Sequence, residues 1–201
     1  MVTLASPAAA ILFVVTIAVS IVGLASRKVV DWAMLRPYYV FRQREYEKLI
    51  TSGFVHADIG HLFFNMFTFY FFAFPLERVI GTTNFVSLYF IGMILSDIGT
   101  CLKHRNDPNY ASLGASGAIL AVLFASIVYF PTQSLFIFPI PLPIPAPLFA
   151  VGYLVYSYFA SRRRTGNVNH DAHIAGALTG LAFVMLTDPD AFRRALRLIF
   201  G

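Results

Sequence analysis

Six stretches of this chain are too apolar to rest in water: 6–25, 59–76, 84–102, 115–130, 148–160 and 171–186. A helix rises about 1.5 Å per residue and needs about 20 residues to cross a hydrocarbon core about 30 Å thick. The first stretch has that length; the fifth is marginal and must borrow residues on both sides. Only 12% of the 201 residues are charged, against about 25% in a soluble domain. Mean hydropathy is +0.70. These features predict an all-α membrane protein with six spanning helices, formed by a single domain over 1–201. The net charge of +5 then points to loops meeting anionic lipid rather than to nucleic acid.

The connectors carry the rest of the topology. No Lys or Arg precedes 6–25, and the run is long for a signal peptide, so a retained first helix is expected. Basic and aromatic residues mingle in 27–55, which predicts a segment of short helices lying in the membrane interface. Gly81 marks the connector 77–83, and a polar, turn-rich loop occupies 103–109. Six prolines in 131–147 exclude helix and predict an extended loop. Arginines at 162–164 and Gly166 predict a sharp end to the fifth span. The tail 188–201 sets Phe192, Leu196 and Ile199 against Arg193, Arg194 and Arg197, the pattern of a helix lying on a membrane surface. The chain shows no internal repeat, which counts against a transporter built from inverted halves. Its one cysteine, Cys101, leaves the redox compartment unreadable.

One polar group stands at the head of the fourth run. Ser116 lies between Gly114 and Gly117, and glycine is a poor helix former. A helix N-terminus offers unpaired N–H groups and the positive end of the dipole. Close helix packing alone would also explain such small residues. Other polar side chains lie at membrane depth, where each is costly and points to function. His61 and Asn65 are four apart and share one face of the second span, with His56 at its mouth. Interhelical hydrogen bonding is the plainer reading of that pair. Asp97 lies inside the third span, where a local hydrogen-bonding role or a place near the membrane mouth is expected, because aspartyl chemistry needs a second acid.

His173 opens the sixth span three residues before Gly176, which with Gly180 forms a small-residue seam. Gly117, Ala121 and Ala125 form a matching seam on the fourth span. Packing the two together would bring the imidazole of His173 near the hydroxyl of Ser116, the geometry of a serine with its general base. The histidine pairs 56/61 and 170/173 have no carboxylate or cysteine placed to complete a zinc site, so neither a metal nor another cofactor is expected.

The segments around His56, His61 and Asn65, around Gly114-Ala115-Ser116-Gly117, and around Ala172-His173-Ile174-Ala175-Gly176 with Gly180 resemble the motifs of rhomboid intramembrane serine proteases. Each motif alone is weak, but three in order on spans two, four and six are specific. The resemblance covers about 48–186. It implies a six-helix rhomboid-like bundle whose first loop dips into the membrane. It implies Ser116 as nucleophile, His173 as general base and then acid, and an oxyanion hole from His61, Asn65 and the Ser116 backbone N–H. His56, Gly114, Gly117, Gly176 and Gly180 would support them.

The same resemblance implies transmembrane-protein substrates, single-pass or other, entering laterally near the fifth span and cut in or near their membrane segment. It implies an integral protein, with a bacterial plasma membrane the expected location and the site open to the extracytoplasmic side. A non-catalytic relative that escorts membrane proteins, or a small transporter, are the alternatives.

Two positions depart from the family pattern. Glu47-Lys48 stands where Trp-Arg is frequent, and Leu120 stands where many relatives carry an aromatic residue against the histidine. The family orientation also places 11 basic residues outside and 4 inside, the reverse of the positive-inside rule.

Overall fold

The protein is described by a computed structural model over residues 6–137, 142–163 and 168–201. Nine α-helices and one short hairpin are found among them. Helix α1 spans Pro7–Ala25, with Pro7 at its first turn, where a missing N–H costs nothing. Three short helices follow, α2 (Arg27–Ala33), α3 (Pro37–Arg42) and α4 (Lys48–Thr51), and then a 3-10 turn, Ser52–Phe54. Helix α5 is a 46-residue helical run, Ile59–His104. Helix α6 is Ser116–Tyr129, α7 Ala146–Arg163, α8 His170–Thr187 and α9 Pro189–Phe200. Of the described helices, α1 and α5 are long and apolar enough to cross a membrane by themselves, and α6 is a shorter apolar helix.

The run of α5 contains one break. Gly81 has φ +77° and ψ 159°, a conformation that favours glycine, and it divides α5 into two limbs. The connector expected over 77–83 is thus helical on both sides of one residue. Just before the break, Glu77 is fully buried. Its carboxylate accepts from the backbone N–H groups of Ala8 (3.1 Å) and Ala9 (2.7 Å) and from Thr82 Oγ1 (2.8 Å). An acid that would be prohibitive alone at this depth therefore caps the N-terminus of α1, whose first N–H groups have no partner within the helix.

Helix α6 is the centre of the bundle, and every residue from Gly117 to Val128 is buried. It packs against both α5 and α8. The α6–α8 seam is backbone against backbone. A Cβ at Gly176 would collide with the Gly117 carbonyl, and one at Gly180 with the Ala121 carbonyl. On the other side Gly92 of α5 lies against Ala121 and Ala118. Association without a hydrophobic drive between helices rests on such close approach.

The proline-rich segment is not wholly irregular. Strands β1 (Ser134–Phe136) and β2 (Pro143–Pro145) pair antiparallel, with Leu135 opposite Ile144. Ile144 is the one residue of β2 with a backbone N–H, so two prolines fit only because the ribbon is two strands wide. The rest of the loop expected over 131–147 includes 138–141, which lie outside the described residues. Helix α7 is longer than the span expected at 148–160, reaching Arg163. The stop expected at 161–166 falls partly on 164–167, also outside the described residues. Helix α9 presents Arg193, Arg194 and Arg197 outward and buries Ala191 and Ala195. Asp188 caps it by accepting from the Ala191 N–H at 2.9 Å.

Candidate active site

Helices α6 and α8 begin at the same end of the bundle, because α7 returns the chain between them. Ser116 is the first residue of α6 and His173 lies in the first turn of α8. Their side chains meet, with His173 Nε2 2.8 Å from Ser116 Oγ. The glycine contacts at 117/176 set this distance, because they hold the two helices at backbone separation one turn further on. Asn169 fixes the start of α8 by accepting from the Ala172 N–H (3.1 Å) and donating to Thr100 Oγ1 (2.7 Å).

The loop before Ser116 is tied down at three points. Ser112 and Leu35 exchange backbone hydrogen bonds of 2.9 Å each way. The Gly114 N–H donates to the Ser52 carbonyl at 2.9 Å. The Ala115 N–H lies 3.5 Å from His56 Nε2. Gly114 has φ +110°, and a Cβ there would stand 2.6 Å from Cε1 of His61. Glycine is therefore required twice over, for the backbone conformation and for the imidazole laid against it. Ala115 occupies the N-cap position of α6 and supplies no side-chain cap, so the first N–H groups of the helix, that of Ser116 among them, point from an uncapped terminus.

His56 is a buried structural histidine. Its Nδ1 lies 2.8 Å from Ser20 Oγ, whose own hydrogen goes to the Phe54 carbonyl at 2.9 Å. That assigns the hydrogen to Nδ1 and leaves Nε2 as acceptor for Ala115. Burial, with a smaller contribution from His61, pushes its pKa down to about 3, so it is neutral at physiological pH. The His56 and His61 rings meet edge to face, with centroids 4.9 Å apart. Asp58 caps α5 by accepting from the His61 N–H at 2.7 Å. Asn65 Nδ2 donates to the His61 carbonyl at 2.9 Å, and an amide nitrogen carries a second hydrogen. His61 and Asn65 thus share the face of α5 beside the loop that leads into Ser116.

Two polar groups acquire partners that the sequence did not give. Asp97 accepts from Ser52 Oγ at 3.0 Å, and the carbonyl of the same Ser52 holds Gly114. His173 Nδ1 lies 2.9 Å from the hydroxyl of Tyr153 on α7. Tyr153 was legible only as a tyrosine in the middle of a span, whereas tyrosines gather at membrane interfaces. His170, one turn from His173, packs its ring against Tyr156 with centroids 5.5 Å apart.

A serine hydroxyl, an imidazole within hydrogen-bond reach and an uncapped helix N-terminus are the parts of acyl-transfer chemistry. Comparison with known proteins places this architecture. The Rhomboid domain pattern matches residues 43–189. The chain belongs to the rhomboid family. It is 29% identical over 162 residues to Rhomboid protein 1, mitochondrial, of Saccharomyces cerevisiae, covering 76% of this chain and 46% of that protein. It is 28% identical over 155 residues to RHOMBOID-like protein 12, mitochondrial, of Arabidopsis thaliana, covering 68% of this chain and 45% of that one. A Bacillus subtilis protein, YdcA, named provisionally as a rhomboid protease, is 38% identical over 78 residues, covering 39% of this chain and 38% of its own length.

This rhomboid spans under half the length of these relatives. Family membership makes it a helical, membrane-embedded protein. The relatives are mitochondrial as well as bacterial, so membership does not select the bacterial plasma membrane that the resemblance implies.

Proposed function

We propose that this rhomboid is an intramembrane serine endopeptidase working through a Ser116–His173 dyad. The observation that carries the reading is the 2.8 Å approach of His173 Nε2 to Ser116 Oγ. In the proposed reaction Nε2 takes the serine proton as Oγ attacks a peptide carbonyl. The oxyanion that forms is met by the Ser116 N–H, with Asn65 and His61 on the adjoining face. His173 then gives its proton to the leaving amine, and water repeats the cycle on the acyl-enzyme. Loss of one oxyanion donor typically costs about 10²–10³ in rate.

The proposal includes one domain over 1–201 and six crossings, by α1, the two limbs of α5, α6, α7 and α8. Its substrates are transmembrane proteins, drawn from the surrounding lipid. A non-catalytic escort role is the alternative, and the paired serine and histidine favour the protease.

The test is reconstitution with a tagged transmembrane substrate and, separately, labelling with a fluorophosphonate. Cleavage and labelling are expected in the wild type and a loss of at least 10³-fold in Ser116→Ala and His173→Ala, with the melting temperature retained. Undiminished cleavage by Ser116→Ala would remove the serine from the chemistry.

A further inference from the structure

We infer that Tyr153 is the positioning residue for the dyad base, holding His173 in the one tautomer that can accept the serine proton. The inference rests on the protease reading above and names how its base is oriented. A general base must present Nε2 without hydrogen to Ser116, so the ring hydrogen must sit on Nδ1. Nδ1 lies 2.9 Å from Tyr153 Oη. The phenol oxygen accepts that hydrogen, the service a carboxylate performs in a triad. When Nε2 gains the serine proton, Nδ1–H stays bonded to the same oxygen, so the imidazolium forms without rotating.

The phenol is held firmly enough for the task. Phe149, one turn earlier on α7, stacks on Tyr153 with centroids 5.6 Å apart, and Phe124 of α6 lies at 6.0 Å. The Tyr153 and His173 rings are themselves within 25° of parallel. Leu120 occupies the position where many relatives carry an aromatic residue against the histidine, and it joins this same apolar cluster. The support has moved from α6 to α7.

Helix α7 faces the bundle through Phe149, Tyr153 and Leu154, while Leu148, Val151, Val155, Tyr156 and Phe159 of its other faces are exposed. The base is therefore aligned by a helix that meets the bundle on one side only.

Tyr153→Phe keeps the ring and removes the acceptor. The expected result is a fall of about 10–100-fold in kcat, the size of a hydrogen bond to a charged group, with KM within about twofold and the melting temperature retained. Ring ¹⁵N resonances of labelled His173 should show the Nδ1–H tautomer in the wild type and a tautomer mixture in Tyr153→Phe. Unchanged kcat and tautomer in the variant would overturn the inference. So would a rise in KM at constant kcat, which would make Tyr153 a substrate contact. If the wild type itself neither cleaves nor labels, the protease reading fails, and the ¹⁵N comparison still decides whether Tyr153 sets the tautomer.

Discussion

Gly176→Ala should separate the dyad without touching it. A Cβ at position 176 would lie 2.9 Å from the carbonyl carbon of Gly117 and 3.1 Å from its Cα. Carbon atoms pack at about 3.5–4.0 Å, so the two helices must part locally by about 1 Å. No rotamer relieves the clash, because both sides are backbone. His173 lies one turn away on the same helix, and its 2.8 Å bond to Ser116 would lengthen towards 4 Å. A displacement of that size costs about 10² in rate, and the overpacking costs about 1–3 kcal/mol in stability. The assay is the second-order rate of fluorophosphonate labelling, with a melting curve on the same sample to separate misalignment from unfolding. Gly152→Ala on α7 is the control, since its Cβ would meet nothing within 4 Å, and it should label at the wild-type rate. Labelling of Gly176→Ala within threefold of wild type, in a protein that still melts cooperatively, would refute the claim that this seam sets the dyad distance.

Two further predictions concern the frame around the site. Glu77→Ala removes the carboxylate that caps α1 through Ala8 and Ala9 and should cost about 1–2 kcal/mol, read as a lowered melting temperature with labelling of Ser116 retained. His56 is held neutral with a pKa of about 3 against 6.5 when unfolded. The unfolded chain therefore binds a proton that the fold refuses, and stability should fall progressively as pH drops from about 6.5 towards 3. Melting temperatures across that range should fall less steeply in His56→Asn, and an unchanged slope would place the acid sensitivity elsewhere.

The departures between expectation and structure have physical causes. Gly81 marks a connector in the sequence, yet helix continues on both sides, because one residue at positive φ turns the axis without freeing its neighbours. The prolines of 131–147 exclude helix, and that exclusion does not exclude a two-stranded ribbon at 134–136 and 143–145. Asp97 takes the hydrogen-bonding role expected of it, with Ser52, 45 residues earlier in sequence, as the donor that the sequence leaves unnamed. Hydropathy cannot report such a pairing, because it records what a side chain avoids and not what it meets.

The amino-acid order by itself determined that the chain must be a bundle of apolar helices, since runs of this length and charge have no other way to satisfy their backbones in lipid. It also determined which faces could approach closely, because small residues at four-residue spacing are legible one helix at a time. Only the tertiary structure decided what stands behind His173. Leu120 lies one turn from the serine in sequence and cannot accept a hydrogen bond, whereas Tyr153 comes from another helix. Its role depends on how α7 lies against α6 and α8, and no periodicity within α7 encodes that relation.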